Sequence, residues 1–159
     1  MSSIRIQRFP YEEPYHVQLN LSAENGRFSG GLDFYTGVPC LKQFAASLQD
    51  FPKHIGDEVE FKYGSPRKED RMYRHLVIRA YTIGGVGRCA IQFTFNNHGD
   101  EPDAGCASFS ISADTAAINR LGKLLEKFSE LQHLELFWSP REDELFAELQ
   151  QKTMAAAAS

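Results

Sequence analysis

Residues 16–34 leave little freedom of local structure. Val17, Leu19 and Leu21 alternate with His16, Gln18, Asn20 and Ser22, a period of two that puts one face of a strand in the core and the other in water. Asn25-Gly26 then supplies the residue pair that favours a tight primed turn. Phe28, Gly30, Leu32 and Phe34 resume the alternation, so the segment reads as a hairpin. The same period returns in Glu58–Tyr63, where Val59, Phe61 and Tyr63 point inward, and in the more apolar His75–Ile83. Two further strands are expected at about residues 88–95 and 105–113 by the same alternation.

The period changes to helical at two places. Val38, Leu41, Phe44, Ala45 and Leu48 share one helical face in 38–51, with Pro39 in the first turn and Pro52 as a stop. Asp114 is placed to cap a second helix over 115–131, whose stripe is Ile118, Leu121, Leu124, Leu125, Phe128 and Leu131. Residues 133–138 suit a short strand. Ser139, Pro140 and Glu142 then form a capping-box pattern that predicts a last helix docked by Leu145, Phe146 and Leu149. Strands come in runs instead of alternating with helices. That order predicts an α+β fold, a mostly antiparallel sheet of about six or seven strands with helices packed on one face. The other face is expected to be open. No internal repeat or linker is visible, so residues 1–159 read as a single domain, with 152–159 a frayed, alanine-rich tail.

Composition excludes several functions. The chain is 42% hydrophobic, enough to build a core without disulfide or metal staples. Its formal charge of −4 offers no basic excess for nucleic acid and would steer a basic partner inward. No apolar run is long enough to span a membrane, and the charged, proline-containing N-terminus lacks a signal-peptide core. Three cysteines without CxxC spacing suit a reducing compartment. These features describe a soluble cytoplasmic protein without a cofactor.

The segment GRCAIQFTFNNHGDEPDAGCASFSI gathers two cysteines with His98, Asp100, Glu101 and Asp103. Parity decides the cysteines. Ile91, Phe93 and Phe95 on one strand and Ala107, Phe109 and Ile111 on the next are the inward residues, so Cys89 faces the core and Cys106 faces away, and the two cannot bridge. Asn, Gly, Asp and Pro at the tip are turn formers, and their spacing does not match a calcium loop. Cys40 lies near a helix N-terminus but beside the apolar stripe, which reads as a packed thiol and not a nucleophile. The carboxylate pairs Glu12-Glu13 and Glu69-Asp70, and the run Glu142–Glu144, lack the apolar setting that acid catalysis needs. The glycine-rich 84–88 lies between strands and opens no helix, unlike a phosphate loop. Arg67, Lys68, Arg71, Arg74 and His75 form a basic cluster offset by Glu69 and Asp70, a solvated loop. No catalytic residue and no metal ligand set is expected.

What remains is the open sheet face. Matching inward residues across strands places Arg79, Gln92 and Ser108 in one row, Tyr81, Ala90 and Ser110 in the next, and Val77, Thr94 and Cys106 in a third. Arginine and tyrosine are favoured contact residues, and here they stand among small polar ones. Arg79, Tyr81, Gln92, Ser108 and Ser110 are therefore the candidate partner-binding set, against the plainer expectation of an ordinary wet face.

Three segments, FSGGLDFYTGVPCLKQFAASL, GRCAIQFTF and ASFSISADTAAINRLGKLLEKF, follow one another in a pattern that resembles small bacterial α+β proteins found near toxin loci. The resemblance spans about residues 15–131 and is one of apolar positions. It implies an immunity-type protein that binds and neutralises a toxin by docking an acidic or mixed surface onto it. Two other classes stay open. A small-ligand or accessory domain would show an enclosed cavity between sheet and helices. A metal-dependent hydrolase would show clustered histidines and acids in a cleft. Self-association is a further way to cover an open face.

Overall fold

The computed structural model describes residues 1–150 apart from 12, 15, 71–73 and 86. Glu12, Arg71 and the tail 152–159, all singled out above, lie outside the described residues. The elements run β1 (Ser2–Phe9), β2 (Val17–Asn25), β3 (Ser29–Thr36), α1 (Val38–Gln49), β4 (Glu58–Gly64), β5 (His75–Thr82), β6 (Arg88–Asn96), β7 (Cys106–Asp114), α2 (Thr115–Phe128), β8 (Glu135–Trp138) and β9 (Asp143–Phe146).

The α+β class and the antiparallel pairing follow the sequence, but the single sheet does not. There are two sheets, ordered β3-β2-β1-β8-β9 and β4-β5-β6-β7, and every neighbouring pair is antiparallel. The division occurs at α1. This helix leads away from edge strand β3, and β4 starts a new meander instead of extending the first. After α2 the chain returns to the first sheet, where Ile4 faces Trp138 and Ile6 faces Leu136. A meander followed by a helix thus occurs twice, as β1–β3 with α1 and as β4–β7 with α2.

Two elements depart from expectation. β1 was not anticipated, although Ile4 and Ile6 alternate with polar residues and are buried. The helix expected from Ser139 is instead a turn leading into β9. The Ser139 hydroxyl accepts from the Glu142 N–H at 3.1 Å, as in a helix cap, but the Ser139 N–H donates to the Glu142 carbonyl at 2.8 Å and folds the chain back on β8. A cap and a tight turn both need an oxygen to satisfy these N–H groups, so the local pattern serves either.

The inner faces of both sheets and the apolar sides of both helices join in one core. Helices therefore do not simply cover one face of one sheet; each sheet turns one face to the shared core and one outward. Phe34 of β3 meets Phe61 and Tyr63 of β4 with ring centroids 5.9 and 5.4 Å apart, joining the sheets through aromatic contact. Gly30 marks a close crossing: a Cβ there would lie 2.6 Å from the Phe95 ring. Gly122 lets α2 meet α1, since a Cβ would lie 2.8 Å from the Ala45 carbonyl oxygen. The Asn119 amide of α2 donates to the carbonyls of Leu48 and Phe51 at 2.8 and 2.7 Å, satisfying groups that the end of α1 would leave bare. Asp114 caps α2 as expected, accepting from the Ala117 N–H at 2.8 Å.

Candidate interaction face on the four-stranded sheet

The outward side chains of β4–β7 follow from parity. Phe61 on β4, Leu76, Ile78 and Ala80 on β5, Ile91, Phe93 and Phe95 on β6, and Phe109 and Ile111 on β7 are buried, which leaves the intervening residues on the outer face. Arg79, Tyr81, Gln92, Ser108 and Ser110 all belong to it. Cys89 is buried and Cys106 exposed, opposite Ala113 and Asn96 respectively, and both thiols are free.

The rows are partly as expected. Arg79 faces Gln92 and Tyr81 faces Ala90, but β7 is displaced by two residues. Gln92 faces Ser110, Ala90 faces Ser112 and Thr94 faces Ser108, correcting the rows that placed Ser108, Ser110 and Cys106 in those positions. Pairing starts at Asn96 and Cys106, so the intervening loop sets the register. A shift of two preserves which face each residue occupies.

At the centre of this face Arg79 is held on three sides. Its Nε donates to Gln92 Oε1 at 3.0 Å, its Nη1 pairs with Glu58 of β4, and its guanidinium lies 4.2 Å from the centroid of the Tyr81 ring. The Tyr81 hydroxyl lies 3.1 Å from Ser110 Oγ. Four strands thus contribute to one cross-strand ladder, with an arginine over the ring of a tyrosine and flanked by serines and threonine. The serines are short, so the ladder is not screened by taller neighbours. Glu58 was absent from the sequence-based set, because a residue on an edge strand acquires its partner only once the register is known.

One end of the face carries His75, opposite Gly64 and Asn96. Burial holds its pKa below the ordinary histidine value, and the neighbouring His98 and Lys62 lower it further. His98, at the tip of the β6–β7 loop, places Nε2 2.6 Å from the Ser65 carbonyl oxygen, and Lys68 lies 3.4 Å from Asp100. Asn97 organises that tip, accepting from the Gly99 and Gly105 N–H groups at 2.9 and 3.0 Å. These contacts fit a loop anchored by turn chemistry. Among the described residues no three His, Cys, Asp or Glu side chains converge as a metal site, and no helix is long and apolar enough to cross a membrane.

Cys40 corrects a second expectation: its thiol is exposed, not packed. It precedes Leu41, which is buried, and so lies about 100° around the helix from the apolar stripe. It lines an open cleft of about 920 Å³ with Tyr35, Gly37, Lys62, Tyr63 and Glu69.

No protein-family model matches this chain, and no curated protein or solved structure matches it either.

Proposed function

We propose that the chain is a non-enzymatic protein-binding domain whose outer four-stranded face, centred on Arg79 and Tyr81, docks a protein partner. The observation that carries this reading is the Arg79–Tyr81 pair, held by Glu58 and Gln92 in the middle of a sheet face that no described element covers. Side chains fixed before binding lose little rotamer entropy on contact, and arginine and tyrosine are the types that dominate interface energetics. An immunity-type role, in which the partner is a toxin, is the specific form of this proposal.

The test compares the wild-type chain with Tyr81→Ala and Arg79→Glu variants, each immobilised in extract of the native host. A protein retained by the wild type and lost from both variants, while their Tm stays near the wild-type value, supports the reading. If that protein is an enzyme blocked at one-to-one stoichiometry, the immunity form stands. Retention unchanged in both variants rejects this face.

The cleft beside Cys40 favours a second reading, a small-ligand site, because two tyrosines and a lysine converge there. A ligand that raises Tm and protects Cys40 from alkylation would replace the first reading with it.

A further inference from the structure

We propose that Asn25 is a self-modification site gated by the contact between the two sheets. Its side-chain amide is lost to attack by the Gly26 nitrogen once the β2–β3 turn lifts from β7, and the product cannot restore the contact.

The sequence supplies the reactive pair. Five asparagines stand in the chain, and only Asn25 precedes a glycine. Glycine has no Cβ to hinder its own backbone nitrogen, and its φ is free to change. In the reaction the Gly26 nitrogen gives up its proton and bonds to Asn25 Cγ. The Cγ–Nδ2 bond breaks, and ammonia leaves with that proton. Water then opens the cyclic imide at either carbonyl, giving aspartate, or isoaspartate with Cβ inserted into the main chain.

The fold supplies the gate. Asn25 Nδ2, the leaving atom, donates to the Ser110 carbonyl of β7 at 3.0 Å. Oδ1 accepts from the Arg27 and Phe28 N–H groups at 3.0 and 2.9 Å. These partners fix which way the amide points, since a carbonyl only accepts and an N–H only donates. Loss of ammonia must carry Nδ2 away from Ser110, so the closed turn holds the amide unreactive. The product fails at the same contact. A carboxylate oxygen facing the Ser110 carbonyl sets acceptor against acceptor and adds a charge. Isoaspartate also lengthens the backbone of a turn in which the Asn25 N–H meets the Phe28 carbonyl at 3.0 Å, and so disturbs the β2–β3 register. Opening is thereby made permanent. Ser110 Oγ lies 3.1 Å from the Tyr81 hydroxyl, so the loss reaches the outer face of the other sheet.

This inference needs no partner at the Arg79–Tyr81 face. The experiment incubates the full chain at mildly alkaline pH, with and without denaturant, and follows each asparagine by peptide mass mapping. In the unfolded chain Asn25 should convert ahead of Asn20, Asn96, Asn97 and Asn119. In the native chain its conversion should be slower by about tenfold or more. Denaturant below the unfolding transition should raise the native rate in parallel with hydrogen exchange at the Arg27 and Phe28 amides, which the same opening releases. Asn25→Asp should lower Tm by about 5 °C and move the NMR shifts of Ser110 and Tyr81. Equal rates in the native and unfolded chains, another asparagine reacting first, or an Asn25→Asp chain with wild-type Tm and shifts would overturn the proposal.

Discussion

The two outer faces have the same backbone geometry and opposite treatment of charge. On the four-stranded sheet Arg79 and Glu58 pair near the surface, with side chains 28% and 49% exposed. On the five-stranded sheet Arg5 pairs with a Glu135 that is 0% exposed, and the carboxylate also receives the Gln7 amide at 2.9 Å and the Gln150 N–H at 3.1 Å. The first network orders a surface. The second keeps a desolvated carboxylate from being an orphan, and its partners have become structurally obligatory. A cross-strand arginine–glutamate pair therefore has no fixed meaning; its depth decides whether it belongs to recognition or to folding.

The largest effect should come from Glu135→Ala. Removing a buried, triply bonded carboxylate strands Arg5 and Gln7, and denaturant unfolding should show a loss of about 3–5 kcal/mol. The matching Glu58→Ala should cost no more than about 1 kcal/mol, because that pair is exposed and screened. Equal losses would break the distinction. Next in size, Gln7→Ala should cost about 1–2 kcal/mol by withdrawing a donor from a buried acceptor, while Gln92→Ala on the other face stays below about 1 kcal/mol. The smallest effect concerns pH. The folded state holds the His75 pKa below its unfolded value of 6.5, so the unfolded chain binds the proton more readily. Any contribution from His75 is intact above that value, and stability declines as pH falls through it. His75→Gln should flatten this slope in a comparison of Tm across pH; an unchanged slope would assign the titration elsewhere.

Parity was the most legible property of the sequence. It placed Arg79, Tyr81, Gln92, Ser108 and Ser110 on the outer face and separated Cys89 from Cys106. It could not fix the row each serine occupies, because the β6–β7 loop decides where pairing begins. The partition into two sheets was hidden for a similar reason: whether β4 pairs with β3 depends on where α1 delivers the chain, which no local pattern records. β1 was masked by its own charges, since Arg8 lies on the inward side of the strand. Its guanidinium donates to the carbonyls of His133 and Leu131 at 2.9 and 3.1 Å and is bound to Glu13. The Arg5–Glu135 pair was unreadable for want of any local link between residues 130 positions apart.

The pairing of β1 with β8 also has a consequence in time. β1 is the central strand of its sheet, yet one of its two neighbours begins at Glu135. During synthesis the first hairpin can form early, but one side of Ile4 and Ile6 must wait until Glu135–Trp138 have emerged. Closing so distant a pair costs loop entropy before any contact repays it. Completion of the five-stranded sheet is accordingly a late step, and until then its middle strand is an unguarded edge.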